Sequence, residues 1–202
     1  RNTGTNEIEG FEIDLAKKIA EEILGDSDAI EFTPVTAKTR GPLVDNGEVD
    51  LLISTFTITE ERKETYNFTD PYYEDAVGIL VKKDKGYDSL ADMDGATIGV
   101  SQSSTTSELI DAEAEQYGLT LKYSEFATYP EIKAALDSNR VDAFSVDRSI
   151  LNGYIDDSTV ILPDRFGTQE YGAVTKKTNT ELADYLNDLV TGWLEDGTID
   201  AM

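Results

Sequence analysis

The chain has 202 residues, of which 39% are hydrophobic, and its 41 acidic and 17 basic residues give a formal net charge of -24. This length and composition predict one or two folded domains, and the charge disfavours binding to nucleic acid or to anionic membrane surfaces. Cys and His are both absent, which excludes their nucleophiles, His general bases and the usual zinc sites, so that catalysis is a minority interpretation.

Helix and strand patterns alternate along the chain. The first helix is the clearest, because apolar residues recur at helical spacing from Phe11 until Gly25. The further predicted elements are a strand over 30–35, a short helix over 41–46, strands over 49–53, 77–81 and 97–100, a helix over 105–117, a strand over 119–126, a helix over 130–138, strands over 141–146 and 171–175, and a closing helix over 180–194. This alternation predicts an α/β protein with parallel sheets.

Residues 47–63, GEVDLLISTFTITEERK, change character partway through. The apolar run over 49–53 is typical of a strand buried on both faces of a sheet. Four hydroxyl residues and then Arg62 follow it closely. Because open parallel sheets bind ligands at the carboxyl ends of their strands, these polar side chains are candidates for a binding site.

A short motif occurs twice. Residues 45–50 read DNGEVD and residues 137–142 read DSNRVD, and the same offset pairs Thr55 with Asp147. If the repeat is structural, the chain builds two α/β lobes, each with a polar residue at the end of a core strand. Chance similarity between two ordinary turns is the alternative.

Another candidate lies in VSQSSTTSEL, where a predicted strand runs into a helix at Ser104, Thr105 and Thr106. A helix amino terminus offers free N–H groups and a positive dipole end, which suit a carboxylate or a phosphate. An ordinary N-cap explains the same residues.

Five motifs in order carry a family resemblance: GFEIDLAKKIA, TAKTRGPL, STFTITEERKETYNFTDPYY, VSQSSTT and FSVDRS. Together they cover nearly the whole chain and resemble the amino-acid-binding proteins of ABC importers, extracellular solute-binding protein family 3, and within it the aspartate/glutamate binders. The resemblance implies a two-lobed, type II periplasmic-binding-protein-like α/β fold with parallel-type sheets. It implies lobe 1 over 1–78 plus 172–202, lobe 2 over 79–171, and closure about hinge strands near 78–82 and 169–173.

The resemblance also implies roles for individual residues. Arg62 would pair with the α-carboxylate of the ligand, assisted by Thr57 and the helix start at 104–106, while Asp147 and the Thr55 carbonyl would accept from the ammonium. The alternatives are a surface ion pair of Arg62 with Glu60 or Glu64, and a helix N-cap for Asp147.

The ligand side chain is assigned by the same likeness. Arg40 would meet a second carboxylate, and Phe56 and Tyr129 would pack on the ligand stem. A surface position for Arg40 and core packing for Phe56 are the alternatives. The implied ligand-binding residues are Arg40, Thr55, Phe56, Thr57, Arg62, Ser104, Thr105, Thr106, Tyr129 and Asp147.

Two departures from the family pattern are expected to matter. Family members begin with a strand in the middle of the lobe 1 sheet, and this strand is missing ahead of GFEIDL; the tail stops at GTIDAM. A missing central strand exposes two sheet edges, which another copy would fill in a strand-exchanged dimer.

The leading hypothesis is an extracytoplasmic solute-binding protein, periplasmic or lipid-anchored, that delivers aspartate or glutamate to a membrane ABC permease without enzymatic activity, metal or cofactor. An amino-acid-sensing receptor ectodomain and a dehydratase-like enzyme on the same scaffold are the alternatives.

Overall fold

The computed structural model describes residues 8–202, which divide into two compact units. Unit 1 is the described part of Arg1–Val35 with Arg40–Tyr73 and Glu170–Met202; unit 2 is Thr36–Thr39 and Glu74–Gln169. Apart from the short segment 36–39, the chain passes from unit 1 to unit 2 after Tyr73 and returns to unit 1 after Gln169. Both positions lie a few residues from the lobe boundaries expected above. Those boundaries and the hinge positions stay predictions.

Seven α-helices and eight strands are numbered here in chain order over residues 8–202. The helices are α1 (Phe11–Leu24), α2 (Arg40–Asp45), α3 (Glu60–Thr65), α4 (Thr106–Tyr117), α5 (Tyr129–Asp137), α6 (Arg148–Leu151) and α7 (Thr180–Glu195). The strands are β1 (Tyr66–Phe68), β2 (Tyr73–Lys82), β3 (Thr97–Ser101), β4 (Lys122–Phe126), β5 (Ala143–Asp147), β6 (Thr159–Ile161), β7 (Phe166–Tyr171) and β8 (Val174–Lys176).

The core of unit 1 lies between its two long helices. Leu15 and Ile19 of α1 pack with Leu186, Val190 and Trp193 of α7 in one buried cluster. Both helices were predicted from their apolar stripes, and α1 ends where expected, since Gly25 adopts the left-handed conformation (φ 76°) and its N–H closes on the Glu21 carbonyl. Burial of these side chains anchors the unit, at about 1.5 to 3 kcal/mol for each large one.

Two predicted strands of unit 1 are wrong. In the described part of the chain, residues 30–35 form no strand, and the segment 49–53 contributes one antiparallel bridge, Leu52 to Val174. The segments instead line an open groove of about 540 Å³, with Ile30, Phe32 and Leu51 among its walls. Apolar alternation predicts an extended backbone, but a strand also needs a partner for its N–H and C=O groups. The expected absence of a strand ahead of GFEIDL falls largely on residues 1–7, outside the described residues.

Unit 2 is built on a mixed sheet, which corrects the prediction of parallel sheets. The order is β4-β3-β5-β2-β6, with β7 also beside β2. β3 runs parallel to β4 and β5, whereas β2 is antiparallel to β5 and β6. The crossover helices α4 and α5 allow the parallel pairs, and the β2 to β3 connection holds two short 3-10 turns instead.

Both faces of this sheet are covered. Ile79 and Ile98 belong to one buried cluster, while Leu80 and Phe144 belong to another with Ile132 of α5. Successive side chains of β2 are thus buried on opposite faces of the sheet. This explains why the sequence is continuously apolar over 76–81.

The repeated motif is a real structural repeat at its turn. α2 ends at Asp45 and α5 at Asp137, and each is followed by a left-handed residue, Gly47 (φ 76°) or Asn139 (φ 55°). The backbone hydrogen bonds repeat at the same offset: Asn46 N to Pro42 O with Ser138 N to Ala134 O, Gly47 N to Val44 O with Asn139 N to Leu136 O, and Glu48 N to Leu43 O with Arg140 N to Ala135 O. The likeness ends there, because β5 continues as a strand after its turn and residues 49–55 do not.

The turn gives a paired stability prediction. Gly47→Ala forces a Cβ into the left-handed region, so we expect the melting temperature to fall by about 2 to 4 °C. Gly192 lies inside α7 with open space around its Cα, so Gly192→Ala should raise the melting temperature instead. Thermal unfolding followed by circular dichroism checks both, and equal signs would contradict the argument.

Candidate functional site

The hydroxyl cluster of unit 1 contains a backbone bulge. Antiparallel bridges join Leu52 to Val174 and Thr57 to Tyr171. Four residues lie between Leu52 and Thr57, but only two lie between Tyr171 and Val174 on the facing segment. The longer segment must therefore loop out, and it does so at Ser54 and Thr55. Thr55 lies in the left-handed region (φ 43°), which is unusual for a residue with a β-branched side chain. We call this feature the Ser54–Thr55 bulge.

Two side chains bind the polar groups of the bulge. Glu12 of α1 accepts a short hydrogen bond from the Thr55 N–H and another, of 2.6 Å, from the Tyr72 hydroxyl. Arg40, 5% exposed, donates from Nη1 to the carbonyls of Ser54 (2.7 Å) and Thr55 (3.1 Å). The Thr55 N–H and the carbonyls of Ser54 and Thr55 are therefore satisfied by one acid and one base.

The same groups perturb each other's ionisation. Burial raises the pKa of Glu12, while the hydrogen bonds from Tyr72 and Thr55 and the charge of Arg40 oppose that rise. The pKa of Tyr72 is raised well above its usual value, first by burial and then by the neighbouring Glu12. The carboxylate of Glu12 is thus a hydrogen-bond acceptor that is largely shielded from water and lies near the charge of Arg40.

Phe56 links the two candidate arginines. The guanidinium carbons of Arg40 and Arg62 lie 4.6 and 4.3 Å from its ring centroid, within the range of cation–π contacts. The ring itself is buried with Val44 and Val174. The structure thus shows the core packing that was left open for Phe56, together with contacts to both predicted ligand-binding arginines.

Arg62 occupies the first turn of α3. Its backbone N–H is capped by the Thr59 hydroxyl (3.1 Å), and its Nη1 donates to the Thr57 carbonyl (2.8 Å). Glu60, one of the alternative ion-pair partners, lies 2.8 Å from Lys63. The guanidinium of Arg62 is therefore held against the backbone at Thr57, which is itself buried.

The helix start of unit 2 is also held by side chains. Ser103 adopts φ 60°, Ser104 donates from Oγ to the Ser101 carbonyl (2.8 Å), and Thr105 donates from Oγ1 to Gln169 Oε1 (2.8 Å). Thr106 begins α4 and is buried. Thr105 stands at the N-cap position of α4, and among the described contacts its hydroxyl makes no cap bond to that helix.

Asp147 ends β5 and is 7% exposed. Over residues 8–202, its carboxylate makes no side-chain cap to α6, although it immediately precedes that helix. The Ser149 N–H of α6 donates instead to Oδ2 of Asp75, at 2.9 Å. Asp147 therefore occupies the N-cap position of α6, as in the alternative interpretation, but its carboxylate does not cap the helix.

The unit 2 candidates share one edge. β4, β3 and β5 are adjacent and parallel, and their carboxyl ends lead to Tyr129, to residues 104–106 and to Asp147. This is the edge at which parallel sheets bind ligands. Tyr129 is half-buried and packs against Phe144 and Tyr154, at centroid distances of 6.3 and 6.5 Å.

Sequence reasoning missed Glu12, Tyr72 and Asp75. Glu12 resembles an ordinary acidic residue in the first turn of a helix. No signal in the sequence distinguishes it, because its partners Thr55 and Tyr72 lie 43 and 60 residues away along the chain. Across the described chain, no group of three or more carboxylates is arranged to hold a metal ion, and no helix has the length and apolar character needed to cross a membrane.

Comparison with known proteins identifies the family. Residues 2–202 match the model for bacterial extracellular solute-binding proteins, family 3. The chain belongs to this family. It is 36% identical over 203 residues to the ABC transporter glutamine-binding protein GlnH of Bacillus subtilis, covering 99% of this chain and 73% of that protein. It is 38% identical over 180 residues to the glutamine-binding protein of Geobacillus stearothermophilus, covering 88% and 67%.

Solved structures agree with this membership. An ancestral arginine-binding protein bound to arginine aligns with a TM-score of 0.86 at 32% identity, over 100% of this chain and 88% of that one. The same values hold for the ancestral protein bound to glutamine. The family 3 chain accordingly has the two-lobed type II periplasmic-binding-protein fold, with the mixed sheet described above.

The environment of Glu12 gives a pH prediction. Because burial raises the pKa of Glu12 above its usual 4.5, its contribution to folding stability is fully present below pH 4.5 and is lost as pH rises through the folded pKa. We therefore expect the unfolding free energy of wild type, minus that of Glu12→Gln, to fall with increasing pH and then level off. Urea unfolding of both proteins from about pH 5 to pH 8 measures this difference, and a difference that grows with pH would contradict the assignment.

Proposed function

We propose that this family 3 protein is the extracytoplasmic binding component of an ABC importer, and that it captures an α-amino acid for delivery to the membrane permease. The observation that carries the proposal is Arg62. Its guanidinium is fixed by the Thr57 carbonyl and by Phe56, beside a backbone bulge at the site predicted to bind the ligand. The names of the relatives, glutamine binders of importers among them, support the same function.

Arg62 suits an α-carboxylate for a geometric reason. A guanidinium presents paired N–H donors that match the two oxygens of a carboxylate, and charge-assisted bonds of this kind are about twice as strong as neutral ones. The hydroxyl of Thr57 is in the same segment, and the α4 start with Ser104, Thr105 and Thr106 offers further donors in unit 2.

Asp147 suits the ligand ammonium. It is a buried acid at the carboxyl edge of three parallel strands, and Asp75 caps the helix that follows it. We propose that one amino acid engages Arg62 of unit 1 and Asp147 of unit 2 together, which would couple the two units on binding.

Glutamine is the proposed first ligand. Among the predicted ligand-binding residues, Arg40 is the candidate for contacting a charged ligand side chain. Its Nη1 already donates to two bulge carbonyls, and its charge opposes the rise that burial causes in the pKa of Glu12. A partly neutralised arginine favours a neutral amide over a second carboxylate. Glutamate and aspartate are the second candidates, because Arg40 remains a cation beside the site and a glutamate-binding protein, GluB of Corynebacterium glutamicum, is 28% identical over 98% of this chain.

The proposal is tested by calorimetric titration of the protein with glutamine, glutamate, aspartate, asparagine and arginine. We expect saturable one-to-one binding of glutamine and weaker binding of the acids. Absence of binding to all five would overturn the proposed function, and tighter binding of glutamate than of glutamine would make the acidic amino acid the ligand.

Arg62→Ala should weaken glutamine binding by about two to three decades. Loss of one partner of a desolvated ion pair costs about 3 to 5 kcal/mol, and each 1.4 kcal/mol is tenfold in Kd. The neighbouring Lys63→Ala is the matched control, since Lys63 is exposed and pairs with Glu60. An Arg62→Ala protein that binds within about threefold of wild type would remove Arg62 from the site.

The Arg40→Ala variant distinguishes two roles of Arg40, contact with a carboxylate on the ligand side chain and hydrogen bonding to the bulge carbonyls. If Arg40 meets a side-chain carboxylate, the variant should lose far more affinity for glutamate than for glutamine. If Arg40 only holds the bulge carbonyls, both affinities should fall by the same factor. Calorimetry with the two ligands on wild type and variant distinguishes these outcomes, and the first of them would contradict the preference for glutamine.

A further inference from the structure

We propose that Glu12 is a positioning residue for the amino-acid site. Its carboxylate fixes the Ser54–Thr55 bulge in the conformation that presents Thr55 and Thr57 to the ligand, without touching the ligand itself. The inference rests on the proposed function for the identity of the ligand, and on unit 1 alone for its geometry.

The conformation of Thr55 needs an external support. A β-branched residue at φ 43° is strained, and such residues persist where the surrounding structure holds them in place. The bridges at Leu52 and Thr57 secure the two ends of the segment but leave the bulge out of the ladder. The hydrogen bond from the Thr55 N–H to Glu12 therefore holds the bulge where the bridges do not.

The acceptor oxygen of Glu12 is itself oriented. The same Oε1 receives the hydroxyl of Tyr72, which is buried, and the charge of Arg40 stabilises the carboxylate. Arg40 then returns to the bulge through the Ser54 and Thr55 carbonyls. The result is a closed set of contacts in which an acid and a base fix the donor and the acceptors of one short backbone segment.

A role in capping α1 does not explain these contacts. Acidic residues in a first turn interact favourably with the helix dipole, and α1 has two of them, Glu12 and Asp14. Asp14 is exposed, whereas Glu12 reaches a backbone group 43 residues away along the chain. Asp14→Ala is therefore a matched control that removes a first-turn charge without touching the bulge.

The first arm of the test is glutamine affinity by calorimetry, with circular dichroism to establish that each variant is folded. We expect Glu12→Ala to raise Kd about tenfold or more, since it removes the support of the bulge. Glu12→Gln should stay within about threefold of wild type, because the amide oxygen still accepts both hydrogen bonds. Asp14→Ala should not change Kd. A folded Glu12→Ala protein with wild-type Kd would overturn the inference.

The second arm needs no ligand. Amide hydrogen exchange at Thr55, followed by NMR on the free protein, should accelerate about tenfold or more in Glu12→Ala and return towards the wild-type rate in Glu12→Gln. Unchanged exchange at Thr55 in Glu12→Ala would overturn the inference whatever the ligand proves to be. Failure of wild type to bind any of the five amino acids would instead count against the proposed function, so the two failures are distinguishable.

Discussion

The unit 1 site depends on one constraint: backbone N–H and C=O groups that are not paired with a neighbouring strand need other hydrogen-bond partners. At the Ser54–Thr55 bulge, one N–H and two carbonyls lose the partners that a regular strand would supply. Glu12 and Arg40 replace those partners. Buried backbone groups left unpaired cost about 1 to 3 kcal/mol each, so the acid and the base make this local geometry tolerable. The conformation of the bulge also sets the positions of Thr57 and Thr59, the hydroxyl residues that follow it.

Glu12 and Arg40 also affect the local electrostatic environment of the site. The protein carries a net charge of -24, which opposes any anionic group at long range. Locally the balance differs, because the guanidinium groups of Arg40 and Arg62 both lie over the ring of Phe56, and Glu12 is held beside Arg40. In a partly dry environment such short-range terms outweigh the screened charges of the surface. An amino acid with an uncharged side chain is a suitable ligand for such a protein, since its zwitterion has no net charge to be repelled.

The sequence was informative where local rules decide the structure. The helices α1 and α7 followed from their apolar stripes, and the turns at Gly47 and Asn139 followed from a repeated motif, because helix ends are set by neighbouring residues. It misled over 30–35 and 49–53, where strand formation depends on a partner from elsewhere in the chain. Glu12 could not have been found, since its role depends on a contact 43 residues distant. The N-cap position of Asp147 could be read from the sequence, whereas the hydrogen bond from the Ser149 N–H to Asp75 could not.

One feature of the unit 1 core bears on how the molecule can be observed. Trp193 is the sole tryptophan of the chain, is 7% exposed, and lies between α7 and α1 with the Lys18 ammonium 5.1 Å from its ring. Its emission is thus a spectroscopic reporter for unit 1, while unit 2 contributes no indole signal at all. Far-ultraviolet dichroism sums over the helices of both units. Two melting curves, one from each probe, would coincide if the units unfold as a single cooperative block and separate if they do not.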